Sequence, residues 1–240
     1  MVSSFAMGKP KDLLSNTAQA ERLHTFAHDL RNRLAGIQQV LGHMASRCTS
    51  DEDRELLTFG EKQQFRALRE VEQLLDDMGV VRGVGRLELT RMNLLVELNK
   101  VAGQLAHRFL RKKQAILMDV PDPLNALADA HHLHEVLHAL ISNASKFSPN
   151  GATIAVKAIV DGDHIHIAVT DAGVGLSDTD LEQVFVRYAW LSSRSTGGEA
   201  QGRSTLARAR QWAQAMNGDL HASSAGAGAG STFTLTLTAA

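Results

Sequence analysis

The 240-residue chain predicts an α+β protein in two parts, an N-terminal antiparallel helical hairpin followed by an α/β sandwich. Three observations predict it. Apolar residues step by three or four along residues 15–82. A Gly83-Val84-Gly85 break follows. Beyond the break, apolar and polar residues alternate in short segments near 154–169 and 231–238. A hydrophobic fraction of 44% with 21% charged residues belongs to a folded globule. Lys and Arg total 25 against 26 Asp and Glu, for a net charge of -1. That balance argues against a nucleic-acid grip or a polybasic membrane anchor built on bulk charge. Cys48 is the single cysteine, which excludes an intrachain disulfide or a thiolate metal cluster. No apolar run is long enough to cross a bilayer, and the opening MVSSFAMGKPK lacks the apolar stretch of a secretory signal. The expected setting is the cytoplasm.

Residues 15–48 read as one helix about 50 Å long. Leu23, Phe26, Leu30, Leu34, Ile37, Leu41 and Met44 form its stripe, and Ser15 or Thr17 caps its start. A second helix is expected from Asp51 to Arg82, capped by Ser50 or Asp51, with Leu68, Val71, Leu75 and Met78 in register. Glu61 and Gln64 interrupt its stripe. One stripe per helix cannot be buried by a single partner, so the hairpin predicts a homodimeric four-helix bundle. After the hinge, helices are expected at Leu94–Lys113, Ala130–Lys146 and Thr205–Met216. The apolar segment AILMDV predicts a strand before the PDP turn. Ile154, Val156, Ala158 and Val160 share one strand face, as do Ile165, Ile167 and Val169, with Gly162 in the turn between. The chain closes with AGAGAG as a turn into STFTLTLT.

Three segments carry chemistry. In FAHDLRNRLAGI, His28 lies about 200° round the helix from Phe26 and from Leu30, so it points away from the stripe. Asp29 adjoins it, and Asn32 follows one turn later. A carboxylate that accepts one ring N–H leaves the other imidazole nitrogen free to attack. In SNASKFSPNG, Asn143 offers an amide oxygen suited to Mg²⁺, and Lys146 can meet a phosphate. In TDAGVGL, Asp171 ends an alternating strand and can accept the exocyclic amine of adenine, while Gly173 and Gly175 let backbone approach the base.

In this order and spacing the segments resemble the catalytic core of bacterial sensor histidine kinases, which share their ATPase fold with gyrase, Hsp90 and MutL. HDLRN is similar to the phospho-acceptor box, SNASKFSPNG to the N box, DAGVG to the adenine box and VFVRY to the F box. On that resemblance the chain divides into an extension at 1–14, a dimerisation and phosphotransfer hairpin at 15–82, a hinge at 83–86 and a catalytic ATP-binding domain at 87–240. The resemblance implies ATP and Mg²⁺ as cofactors, with Asp171, Gly173 and Gly175 at adenine, Asn143 at the metal and Lys146 at the phosphates. It implies phosphorylation of His28, assisted by Asp29, and transfer to an aspartate on a response-regulator receiver domain. Asn32 holds the position that orients water when such partners are dephosphorylated.

Four departures stand out. Arg33 replaces the proline that usually follows Asn32, so a straighter helix is expected. Ala139 replaces the first N-box asparagine, and the neighbouring His138 is read as facing elsewhere. Trp190 replaces the arginine ending the F box, with Arg187 or Arg194 as substitutes. The glycine-rich lid pattern G-x-G-L-G-L falls on QGRSTL, which sets Gln201, Arg203 and Thr205 at its three glycines with Gly202 between the first two; Gly197 and Gly198 would serve with an insertion, and Arg203 adds a cation. Three lost left-handed positions would cost about 3 kcal/mol, or roughly a hundredfold in ATP affinity. This erosion favours, as the alternative, a histidine phosphotransferase that accepts phosphate from a receiver domain. A non-enzymatic dimerising scaffold is a third reading. His131, His132, His134 and His138 read as surface or packing residues.

Overall fold

The computed structural model describes residues 25–26, 29–30, 32–34, 36–45, 47–77, 87–189, 191, 196 and 204–240. The N-terminal extension, the Ser15 or Thr17 cap, His28, the 83–86 hinge, Trp190, Arg194 and residues 197–203, with Gly202 and Arg203, lie outside the described residues. Two compact units divide at Gly83, Met1–Gly83 and Val84–Ala240.

In the first unit the described residues between 25 and 47 are helical (α1), and a second helix, α2, runs Asp51–Asp77. Ser50 Oγ accepts the Asp53 N–H at 3.4 Å, and Asp51, Glu52 and Asp53 place negative charge at the positive end of the helix. Phe65 and Leu68 are buried. Gln64, which interrupts the apolar stripe, is buried beside them because its amide donates to the Leu34 carbonyl. The stripe is only partly covered within one chain. Phe26, Ile37 and Met44 are 64%, 50% and 53% exposed, and Leu56 and Phe59 of α2 are also exposed.

The second unit is an α/β sandwich. Its main sheet has strand order β2-β4-β5-β7-β6, from β2 (Ala115–Asp119), β4 (Thr153–Asp161), β5 (His164–Asp171), β6 (Asp219–Ser223) and β7 (Ser231–Thr238). β2 runs parallel to β4, and the other pairs are antiparallel. A separate antiparallel pair joins β1 (Thr90–Asn93) to β3 (Asn125–Ala128). Both are four residues long and were not expected from the sequence. The helices are α3 (Leu94–Lys112), α4 (Ala130–Phe147), α5 (Asp178–Gln183) and α6 (Thr205–Ala215).

Alternation along the strands explains the layering. Ile154, Val156, Ile165, Ile167, Leu235 and Leu237 are at most 1% exposed and share a core with Leu98 of α3, Leu137 and Ile141 of α4 and Ala213 of α6. The intervening residues of β5 and β7 form a polar face, where Thr170 and Thr232 hydroxyls lie 3.0 Å apart. Caps fix where the helices begin. Asn93 Oδ1 accepts the Val96 N–H at 3.1 Å, and Asp129 Oδ1 accepts those of His131 and His132, each at 3.1 Å. Burial opposes the charge on Asp129, yet hydrogen bonds from the Glu88 N–H and from His132 hold its carboxyl far below the usual range. Among the described residues no helix is long and apolar enough to cross a membrane.

Candidate functional site

A cavity of about 340 Å³ opens between α4, the end of β5 and the segments that follow them. Asn143, Lys146, Asp171 and Gly175 all line it. Leu176, Val184 and Phe233 supply apolar wall. Gly173 stands behind Asp171 and does not line the cavity. Asp29 and Asn32 are exposed on α1, in the first unit.

Asp171 is the last residue of β5 and only 5% exposed. Its Oδ1 accepts the Gly173 N–H at 2.8 Å. A Cβ on Gly173 would sit 2.6 Å from both Asp171 Oδ1 and the Phe147 carbonyl oxygen, so only glycine lets the loop pass this close. Burial pushes the Asp171 carboxyl up to about 6, while the backbone N–H groups of Gly173 and Ser231 pull it down. At neutral pH it is a desolvated anion whose oxygens face few partners, a strong acceptor for an amine in the cavity.

The loop after Asp171 is braced by the glycine turn before β7. Gly228 N–H donates to the Val174 carbonyl at 2.7 Å, Gly230 N–H to Gly173 at 3.2 Å, and Leu176 N–H to Ser224 Oγ at 3.0 Å. The run AGAGAG thus packs backbone on backbone beneath the aspartate. Gly175 has φ 69°, and a Cβ there would overlap the Gly226 carbonyl oxygen. Gly175→Ala is therefore expected to destabilise the second unit by about 2 kcal/mol, measured by urea denaturation of the full chain.

The cationic end is built on the last turns of α4. Lys146 extends beside Phe147, its Nζ 5.6 Å from the ring centroid. Lys112 Nζ is buried under the helix end and donates to the carbonyl oxygens of Ser145 at 2.6 Å and Ser148 at 2.9 Å, and to Thr196 Oγ1 at 2.9 Å. Gln114 adds an amide that donates to the same two carbonyls and to Pro149. Helix ends leave their last carbonyls without internal partners, and these two side chains serve them.

His138 and Arg108 also line the cavity. This corrects the expectation that His138 faces elsewhere: from its place on α4 it lines the cavity next to Ala139. Burial holds His138 below its ordinary pKa, with help from His134 and Arg108 and against Glu135. Arg108 escaped sequence reasoning because α3 meets α4 only in the folded domain. Arg187, one of the expected substitute cations, donates to Gln211 at 2.6 Å. His134 sets Nδ1 against Glu97 and Nε2 against Gln104 Oε1 at 2.9 Å, the pattern of a packing histidine. The cavity thus pairs a buried acceptor at one place with an amide oxygen and cations at another. That set fits a nucleotide: an exocyclic amine for the aspartate, phosphates for the cations, and Mg²⁺, which takes few protein oxygens beside water and phosphate, at Asn143.

Residues 128–240 match the family model described as histidine kinase-, DNA gyrase B-, and HSP90-like ATPase. The chain is 30% identical over 198 residues to the adaptive-response sensory kinase SasA of Synechococcus elongatus, which covers 77% of this chain and 51% of that protein. It therefore spans about half the length of this curated relative. Among solved structures, full-length ShkA in complex with AMPPNP is similar with a TM-score of 0.59 and 22% identity, over 92% of this chain and 46% of that one. The mycobacterial sensor histidine kinase MprB is similar with a TM-score of 0.55 and 20% identity, over 62% of this chain and 98% of that one. At these identities the structural likeness establishes the fold.

Proposed function

We propose, from the premise that residues 128–240 belong to the histidine kinase-, gyrase B- and HSP90-like ATPase family, that this chain is the core of a two-component histidine kinase. The observation that carries it is the convergence of Asp171, Asn143 and Lys146 on one cavity. Likeness to a sensory kinase over three quarters of the chain supports it.

In this reading ATP enters the cavity with its adenine amine on Asp171 and its phosphates toward Lys146. Asn143 would hold Mg²⁺, whose charge would offset that of the phosphates. Gly173 and Gly175 keep the loop low enough for the base to lie against backbone. An imidazole nitrogen of His28 attacks the γ-phosphorus. An N–P bond forms, the bond to the β–γ bridging oxygen breaks, and ADP leaves. The proton on the other ring nitrogen passes to, or is held by, Asp29. The residues act mainly by positioning and by neutralising charge. The 83–86 segment is the hinge that lets the ATP-binding domain reach the helix. The phosphoryl group then moves to a receiver-domain aspartate on a response regulator, and Asn32 orients water for the reverse task. The exposed residues Phe26, Ile37, Met44, Leu56 and Phe59 are the surface a second copy would cover, giving the dimeric four-helix bundle. Signalling of this kind belongs to the cytoplasm.

Incubation of the full chain with γ-labelled ATP and Mg²⁺ tests the proposal. An acid-labile, alkali-stable phosphoprotein is expected from the parent and none from His28→Ala. No label at millimolar ATP would contradict it.

A further inference from the structure

The cavity has a cation that the shared motifs do not supply. Arg108, on α3, reaches across to α4, where its Nη1 donates to Ser142 Oγ at 2.8 Å and to the Ser142 carbonyl at 3.2 Å. Ser142 precedes Asn143, and both line the cavity together with Arg108. The residue one turn before Asn143 is Ala139, a methyl group where a second amide would offer another oxygen. Among the described residues Asp171 is the one acidic residue in the wall, so those at the cationic end include no carboxylate to hold a divalent ion. Among the described residues no cluster of three or more His, Cys, Asp or Glu side chains is placed to do so either. The described residues at that end are therefore poor in metal ligands and rich in fixed positive charge, from Arg108 and Lys146.

We propose that Arg108 is a polyphosphate-binding residue that supplies, from the protein, part of the charge neutralisation a fuller metal site would provide. It rests on the nucleotide reading above. A guanidinium is always charged and presents planar N–H groups that match phosphate oxygens. Ser142 holds Nη1 of this guanidinium at the cavity wall. The consequence is nucleotide binding with a weak requirement for Mg²⁺, in which Arg108 matters most when the metal is removed.

Calorimetric titration of the full chain with adenosine and with ADP, each in Mg²⁺ and in EDTA, tests this in the parent, Arg108→Gln and Arg108→Lys. The parent is expected to keep ADP binding in EDTA within about tenfold of its value in Mg²⁺. Arg108→Gln is expected to lose about thirtyfold in ADP affinity in EDTA, less in Mg²⁺, with adenosine unchanged. Arg108→Lys is expected to recover part of the loss, which separates charge from packing. Equal loss for adenosine and ADP would overturn the inference by showing a structural role. So would an unchanged ADP affinity in EDTA, or failure of the parent to bind ADP without Mg²⁺ while it binds in Mg²⁺. A parent that binds neither ligand under any condition would overturn the nucleotide reading itself.

Discussion

Asp171→Asn is expected to weaken ATP binding by about a hundredfold and, at pH 7, to leave the unliganded second unit more stable than the parent. Both effects follow from one carboxylate. The carboxylate receives the Gly173 N–H on Oδ1 and also accepts from the Ser231 N–H, and its remaining lone pairs serve an incoming amine. In the amide variant the single oxygen stays with Gly173, and an NH₂ group meets the amine of adenine donor to donor. Losing a charge-assisted bond in a buried site costs about 3 kcal/mol, which is roughly a hundredfold.

The stability gain comes from burial. The carboxyl has an ordinary pKa of 3.8 in the unfolded chain and about 6 when folded. Its contribution to stability is fully present below pH 3.8 and is lost as pH rises through about 6, because ionisation then occurs in a desolvated place. The loss is at most about 3 kcal/mol. The asparagine never ionises, but it has one acceptor oxygen fewer for the Ser231 N–H, so a net gain of about 1–2 kcal/mol at pH 7 is expected. Urea denaturation at pH 5 and pH 7.5 checks the sign: the parent should lose stability between them relative to the variant. Adenosine, which carries no phosphate to titrate, should bind the parent about tenfold more tightly at pH 7 than at pH 5. A site that holds an anion at some expense in stability is the usual trade between binding and folding.

Lys112→Met is expected to cost about 3 kcal/mol of stability and to weaken ATP binding in the chain that remains folded. The methionine fills a similar volume, so the loss is in hydrogen bonding. Gln114 would still serve the Ser145 and Ser148 carbonyls. The Lys146 carbonyl would lose the Lys112 donor at 3.3 Å, although the Thr196 hydroxyl also reaches it at 2.9 Å. One of the two positive charges at the carbonyl end of α4 would vanish as well, leaving Lys146. Thr196 is tied to Lys112 and to the same carbonyls, so the change also removes one of the bonds that hold Thr196 at the end of α4. Chemical denaturation and calorimetry on the same preparation separate the two effects. A stability within about 0.5 kcal/mol of the parent would show that this network is dispensable.

The parts of the fold legible in the sequence are those where one face is dry and the other wet over enough residues to show a period. β4, β5 and β7 meet that condition, since their alternate residues are buried. β1 and β3 do not, because four residues are too few and Asn93 and Asn125 occupy their ends. Gln64 reads in the sequence as a break in the stripe of α2, yet its amide donates to the Leu34 carbonyl and the side chain is buried. At the candidate site, Asp171, Asn143 and Lys146 were legible because local motifs announce them. Arg108 and Lys112 were not, since both act through α3 on α4 across more than thirty residues of sequence. His138 is not legible as a cavity residue, because its helical position alone does not show how wide the cavity opens. The glycine run at 225–230 reads in the sequence only as a turn, yet its backbone holds up the loop that follows Asp171.

The most direct test is a crystal structure of the full chain grown with a non-hydrolysable ATP analogue. The expected result places the exocyclic amine of adenine within about 3 Å of the Asp171 carboxylate and the phosphates between Asn143 and Lys146. An analogue seated elsewhere, or an empty cavity at millimolar analogue, would contradict it.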